Sequence, residues 1–213
     1  EALASIASIA EVICTTRQAD APMATRLHWR ASELLDEGET GGAVGTTFQI
    51  KDLFFNTPAR LRFMRSPSAE MAAISELVGA LALAYPHVSF VLNNGAREVL
   101  RTPGDGDATL AVRSVLGRDI GDHLFAVSAD DGRTTITGVA TRASYHRADR
   151  YKQFIFVNGR WVKLPFVTKL LDEFYADLIP SRRYPSVVLS LQVDPATLDV
   201  NVHPTKREVR LRE

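Results

Sequence analysis

What most constrains this chain is a succession in its second half: an apolar run, a segment with helical periodicity, and a second apolar run. Gln153 to Val157 is short, apolar and rich in aromatic and β-branched residues, as a strand is. Pro165 suits the first turn of a helix in which Val167, Leu170, Leu171, Phe174 and Leu178 keep one apolar face. Ser186 to Val193 reads as a strand again. Strand, helix, strand in that order makes a crossover unit, so this half is expected to be α/β or α+β. Further strands are expected at about Leu124 to Ser128 and Thr134 to Ala140, with Asp131-Gly132 as the turn between them. Asn158-Gly159 suits a tight hairpin after the 153–157 strand, because both residues tolerate positive φ. Before these strands, Asp107 is placed to cap a helix with Val112, Val115 and Leu116 inward and Gly117 at its C-terminal end.

The first half has a different grain. Apolar residues from Leu3 to Ala10 recur at helical spacing and pass into the β-branched run Val12 to Thr16. Residues 20–42 are mixed and polar. From Gly45 an alternating pattern through Phe48 and Ile50 predicts a half-buried strand that ends in Leu53, Phe54 and Phe55. Ser66-Pro67 with Glu70 starts a helix in which Ile74, Leu77, Val78, Leu81 and Tyr85 form one face, expected to cover a sheet. Val88 to Leu92 and Glu98 to Leu100 flank Asn93, Asn94 and Gly95 as a hairpin. The turn-rich stretch Thr102 to Asp107 has no apolar period, and the domain boundary is expected there, giving domains 1–104 and 105–213.

Charge excludes some classes of function. Lys plus Arg and Asp plus Glu are 25 each, so the 213-residue chain is neither a globally basic nucleic-acid binder nor a polyanion. The longest apolar run, Leu77 to Tyr85, is short of the roughly 20 residues that cross a bilayer, so no membrane partner is expected. Cys14 is the single cysteine, which excludes an intrachain disulfide and a cysteine-based zinc site and fits a reducing, cytoplasmic setting. The chain opens on Glu1 rather than Met, in what reads as helix interior, and is expected to continue a longer protein.

Four stretches carry candidate chemistry. Gly45-Thr46-Thr47 leads into Lys51 to Arg60, KDLFFNTPAR; Thr46 offers a hydroxyl to a ligand edge, although Gly-Thr before a strand is also an ordinary bend, and Asn56-Thr57-Pro58 reads as a rigid corner. Between Arg142 and Lys169 the cations Arg142, Arg147, Arg150, Lys152, Arg160, Lys163 and Lys169 face one acid, Asp149, interleaved with Tyr145, Tyr151 and Trp161. Cations among stacking surfaces suit single-stranded nucleic acid, and a solvated strand-and-loop face is the competing reading. Val157 to Arg160, VNGR, is a hairpin. In Asp199 to Arg210, an alternating strand breaks at Pro204 and leaves Lys206 on a loop, solvent-facing or reaching a phosphate as a point charge. The histidines lack metal-ligand spacing, no metal site is expected, and nucleotide and nucleophile signatures such as GxxxxGK[ST] and GxSxG are absent.

Taken in order, EALASIASIAEV, VGTTFQIKDLFFNTPARLRFM, FIFVNGRWV and LDVNVHPTKREVRL make the chain resemble the N-terminal region of the MutL family of DNA mismatch repair proteins. The resemblance implies part of an ATP-binding α/β sandwich of the type shared with gyrase, heat-shock chaperones and histidine kinases. A ribosomal-protein-like α/β domain is implied after it. Glu1, Ala2 and Leu3 would match the edge of the ATP lid, Thr46 the threonine that approaches adenine, and Lys206 the lysine that reaches the γ-phosphate. Arg150, Lys152, Arg160 and Lys163 would face DNA, although Leu164-Pro165 stands where relatives often carry another basic residue. ATP and Mg²⁺ would serve the intact protein. Its general-base glutamate, Mg²⁺-binding asparagine and adenine-site aspartate match nothing in these 213 residues, so the chain alone is expected to bind neither ATP nor Mg²⁺ and to be inactive as an ATPase. The implied partners are DNA, the mismatch sensor MutS, and a downstream nuclease or helicase, with a homodimer for the intact protein and a monomer for this chain. A non-catalytic DNA- or protein-binding module and the ATPase arm of a type II topoisomerase are the alternative readings.

Overall fold

The computed structural model describes residues 2–199, 210 and 211, and the chain divides into two compact units, Glu1–Glu70 and Met71–Glu213. In the first unit, α1 (Ala2–Ala7) precedes β1 (Glu11–Arg17), β2 (Ala24–Arg30), β3 (Glu33–Thr40) and β4 (Gly45–Lys51). These make an antiparallel sheet in the order β3-β2-β1-β4. The polar stretch at 20–42 thus folds as a hairpin that the sequence did not announce. Its turn residues are Ala31 and Ser32, with φ of 51° and 67°, a conformation usually left to Gly or Asn. Tertiary bonding holds it there: the Ser32 amide donates to the Ala7 carbonyl at 2.9 Å.

β4 is where expected but is not half-buried. Register places Val12, Cys14, Leu27, Trp29, Phe48 and Ile50 on one sheet face. α1 has only six residues to lay over that face. Val12 and Cys14 on the inner strand are buried, whereas Phe48 and Ile50 on the edge strand remain 44% and 43% exposed. The corner at Asn56-Thr57-Pro58 opens into a short helix, α2 (Pro58–Arg62), with Pro58 in its first turn.

α3 (Pro67–Ala84) begins as predicted, with the Ser66 hydroxyl accepting from the Ala69 amide. Its buried face is not the predicted one. Ile74, Leu77, Leu81 and Tyr85 are exposed, and Gly79, Ala80, Ala82 and Leu83 are buried. The helix is apolar nearly all round, so its period leaves the choice of face open, and the small residues win because they admit a close neighbour. A Cβ on Gly79 would lie 2.9 Å from Val115 of α4 (Ala108–Leu116). α3 is also the one helix among the described residues with the length and apolar composition to cross a bilayer, a test that core helices pass too. Because its second half packs on α4, the division into units falls upstream of the Pro/Gly/Asp stretch. Asp107 caps α4 as predicted, its carboxylate accepting from the Thr109 and Leu110 amides at 2.7 and 3.2 Å.

The hairpin β5 (Val91–Asn94) and β6 (Arg97–Arg101) precedes α4. After α4 come β7 (Leu124–Asp130), β8 (Thr134–Thr141), β9 (Gln153–Val157), β10 (Arg160–Val162), α5 (Pro165–Tyr175) and β11 (Val187–Val193). They form a five-stranded sheet, β10-β9-β11-β8-β7, in which β9 and β11 run parallel across the α5 crossover. Strand β9 is buried on both faces: Phe154 and Phe156 join Ala80, Leu83, Val112 and Ile120 on one side, and Ile155 and Val157 join Val167 and Leu189 on the other. This unit is the mixed α/β architecture expected. α5, however, is rotated from its predicted face. Val167 and Tyr175 are buried and Leu171 packs beside them, whereas Leu170, Phe174 and Leu178 are exposed. The Tyr175 hydroxyl fixes that rotation by donating to the buried Thr141 carbonyl at 2.7 Å. Two short strands, β12 (Leu198–Asp199) and β13 (Arg210–Leu211), pair antiparallel.

Candidate functional site

The basic segment forms the open end of the five-stranded sheet. Asn158 and Gly159 take φ of 48° and 78°, turning β9 back into β10, an edge strand of three residues. Alternation along β10 sends Val162 into the α5-side core and Trp161 to the other side, 5.5 Å ring to ring from Phe154. Arg160 and Lys163 flank these anchors and are exposed, with no ion-pair partner among the described residues.

The other candidate cations hold the scaffold. Arg150 donates twice to Asp172 on α5, both bonds 2.7 Å, and its guanidinium lies 3.8 Å from the centre of the Tyr184 ring. Lys152 directs its ammonium at the Leu116 carbonyl, at the end of α4 where the helix dipole is negative, and at the Tyr145 hydroxyl at 3.3 Å. Arg147 pairs with Asp149 and, with the Tyr151 amide, holds that carboxyl below the usual carboxylate range. Lys169 is 3.6 Å from Glu173 on the same helix. Of the four expected DNA contacts, then, Arg160 and Lys163 project freely, while Arg150 and Lys152 bind the frame.

Beside this edge lies a concavity of about 780 Å³, with Lys163, Lys169, Trp161 and Tyr151 on its walls. Tyr151 is 81% exposed, the posture of a stacking platform rather than of a core aromatic. A second concavity of about 330 Å³ shares Arg150, Asp172 and Tyr184 with the first and is rimmed by Arg182 and Arg183. Those two arginines were missed in the sequence. Their signal was there as an Arg-Arg pair in the loop after Pro180, lying beyond the densest run of cations.

In the first unit, Leu3 lines an apolar cavity of about 270 Å³ with Ala7, Trp29 and Phe48. Thr46 shares that sheet face, opposite Thr16, and the two hydroxyl oxygens are 2.8 Å apart. Ala2 belongs to α1. The cavity has no cation to meet a phosphate, and no three His, Cys, Asp or Glu side chains gather among the described residues. Among the described residues, the lining of this cavity offers no charged group for the phosphates of ATP. The expected contacts of Glu1 and Lys206 lie outside the described residues.

Comparison with known proteins places this architecture. A family model described as the C-terminal domain of DNA mismatch repair protein matches residues 112–213. The DNA mismatch repair protein MutL of Rhizobium meliloti is 42% identical over 214 aligned residues, covering all of this chain and 35% of that protein. The chain thus spans about a third of the length of the curated relatives it matches. Among solved structures, the N-terminal domain of a DNA repair protein shares the fold, with a TM-score of 0.83, 23% identity, and coverage of 99% of this chain and 69% of that one. The Aquifex aeolicus MutL ATPase domain complexed with ADP gives a TM-score of 0.72 at 25% identity, over 91% of this chain and 72% of that domain. Sequence similarity over its whole length relates this chain to DNA mismatch repair proteins of the MutL family.

Proposed function

We propose that this chain serves DNA mismatch repair as the DNA-facing segment of a cytoplasmic, ATP-binding coordinator. In this reading the whole protein couples a mismatch sensor to a downstream nuclease or helicase, and acts as a homodimer. Residues 105–213 are the domain that carries the DNA face, and Lys206 is its contact to the nucleotide's terminal phosphate. The 42% identity to a DNA mismatch repair protein over the whole chain is the observation that carries the reading. The free cations at the β10 edge and the exposed Tyr151 support the DNA face in particular.

Exposed cations that neutralise phosphates give affinity that falls steeply with salt and reads little sequence. An Arg160→Glu, Lys163→Glu double variant is therefore expected to weaken single-stranded DNA binding and flatten its salt dependence by roughly 0.7 in log–log slope for each phosphate left without its cation. Fluorescence anisotropy across a salt series measures it. Superimposable curves for variant and wild type would leave the edge a solvated face.

Purified on its own, the 213-residue chain is expected to turn over ATP at background rate. Metal and water positioning supply most of the acceleration in phosphoryl transfer, and the general-base glutamate and Mg²⁺-binding asparagine that the resemblance implies match nothing in these 213 residues. A phosphate-release assay checks this, and steady turnover abolished by EDTA would overturn it.

A further inference from the structure

The loop between α5 and β11 is built more firmly than a connection needs. At its start, the Arg183 amide donates to the Pro180 carbonyl at 3.1 Å, closing a turn over Ser181 and Arg182. Arg182 sits at φ 59°, in the position such a turn normally gives to Gly or Asn. At its end, Tyr184 and Arg147 exchange backbone hydrogen bonds of 2.8 Å in both directions, and Pro185 and Ser186 are buried. Between these anchors the Tyr184 ring carries the Arg150 guanidinium, itself fixed by its two bonds to Asp172.

The charge balance of the 330 Å³ concavity follows from those contacts. Among the described residues Asp172 is the one acid on its wall, and Arg150 already neutralises it. Arg182 and Arg183 on the rim are exposed and have no ion-pair partner among the described residues. Two uncompensated guanidinium forks at the mouth of a rigid concavity match a tetrahedral oxyanion, which takes paired N–H donors. An arginine held in the left-handed region stores local strain, and strain of that kind collects where a side chain has work to do.

We propose that Arg182 and Arg183, with the Arg150–Tyr184 stack as its wall, form a phosphodiester subsite that extends the nucleic-acid face beyond the β10 edge. The proposal rests on the DNA-facing reading above. A strand entering along Lys163 and Tyr151 passes the shared Arg150–Asp172 wall and meets the arginine pair with its next phosphates. The ligand is the backbone phosphate, so the subsite adds affinity without sequence preference.

The test is binding of a fluorescent single-stranded 20-mer by the whole chain over a salt series, for wild type, Arg182→Ala/Arg183→Ala, and Arg182→Gly. Removing the cations from two phosphates is expected to lower the log–log salt slope by about 1.4, which is about 25-fold in affinity at 0.1 M salt. Arg182→Gly is the folding control: glycine relieves the left-handed strain, so its melting temperature should hold or rise while DNA binding falls. A structural role for Arg182 gives the reverse. If the wild type binds DNA and the double variant matches it, the subsite is overturned and the DNA face at β10 stands. If the wild type binds no DNA, the face and its subsite fall together. Inorganic phosphate, added at constant ionic strength, separates the other source: a rise in melting temperature that the double variant lacks, without weaker DNA binding by that variant, would make this a free-anion pocket and overturn the proposal.

Discussion

Replacing Gly138 with alanine is expected to destabilise the second unit by about 3 kcal/mol or more, the combined scale of backbone clash and a strained φ. Gly138 lies inside β8, opposite Leu189 of β11 and Val127 of β7, with φ of 150°. A Cβ built there would stand 2.0 Å from the Val188 carbonyl oxygen and 3.0 Å from the Leu189 Cα. Both are backbone atoms of a paired strand, so the strain cannot be relieved by a side chain swinging aside. Gly132 is the matched control: its φ is 79°, but nothing lies within 4 Å of the added methyl, so alanine there costs only the strain of the turn, about 1 kcal/mol. Urea unfolding followed by circular dichroism measures both. A Gly138→Ala variant within 1 kcal/mol of wild type would show that β8 and β11 part more easily than their register implies.

Phe156→Ala is expected to cost about 3–5 kcal/mol by a different route, a large side chain removed where neighbours cannot collapse. Phe156 is 2% exposed and is among the largest fully buried side chains. It lies in the core that joins β9 to the Ala80/Leu83 face of α3 and the Val112/Leu116 face of α4. Strands hold its backbone on either side, Trp161 in β10 and Ser190 in β11, so the cavity stays open. Phe156→Leu keeps most of the volume and should destabilise by less than about 1.5 kcal/mol. Equal effects for the two variants in the same urea series would mean that the ring itself, and not its volume, is what the core requires.

The second unit was the more legible in sequence because its turns are written in residues with few alternatives. Asp131-Gly132 and Asn158-Gly159 sit where strands reverse, and Asp107 and Gly117 bracket α4. The β2–β3 hairpin was not legible, because Ala31 and Ser32 take left-handed conformations with their amides donating to the distant Ala10 and Ala7 carbonyls, contacts that no local pattern announces. Helix faces failed for a related reason. On α3 and α5 apolar residues surround more of the helix than can be buried, and the choice falls to Gly79 against Val115 and to the Tyr175 hydroxyl against Thr141.

The candidate site was legible as a charge bias but not as a set of contacts. Arg150 finds Asp172 and Lys152 finds the Leu116 carbonyl, partners 22 and 36 residues away, which no local pattern connects. Arg160 and Lys163 flank a short edge strand and are exposed, with no ion-pair partner among the described residues.

The placement of β11 between β9 and β8 has a kinetic meaning. The β7–β8 and β9–β10 hairpins each close over a few residues and can form as soon as their own turns exist. Neither hairpin touches the other in the sheet; β11 joins them, pairing parallel to β9 and antiparallel to β8. During synthesis the apolar edges of β8 and β9 therefore both wait until the chain through Val193 has cleared the ribosome, and the last strand to arrive is the one that makes a single sheet of two.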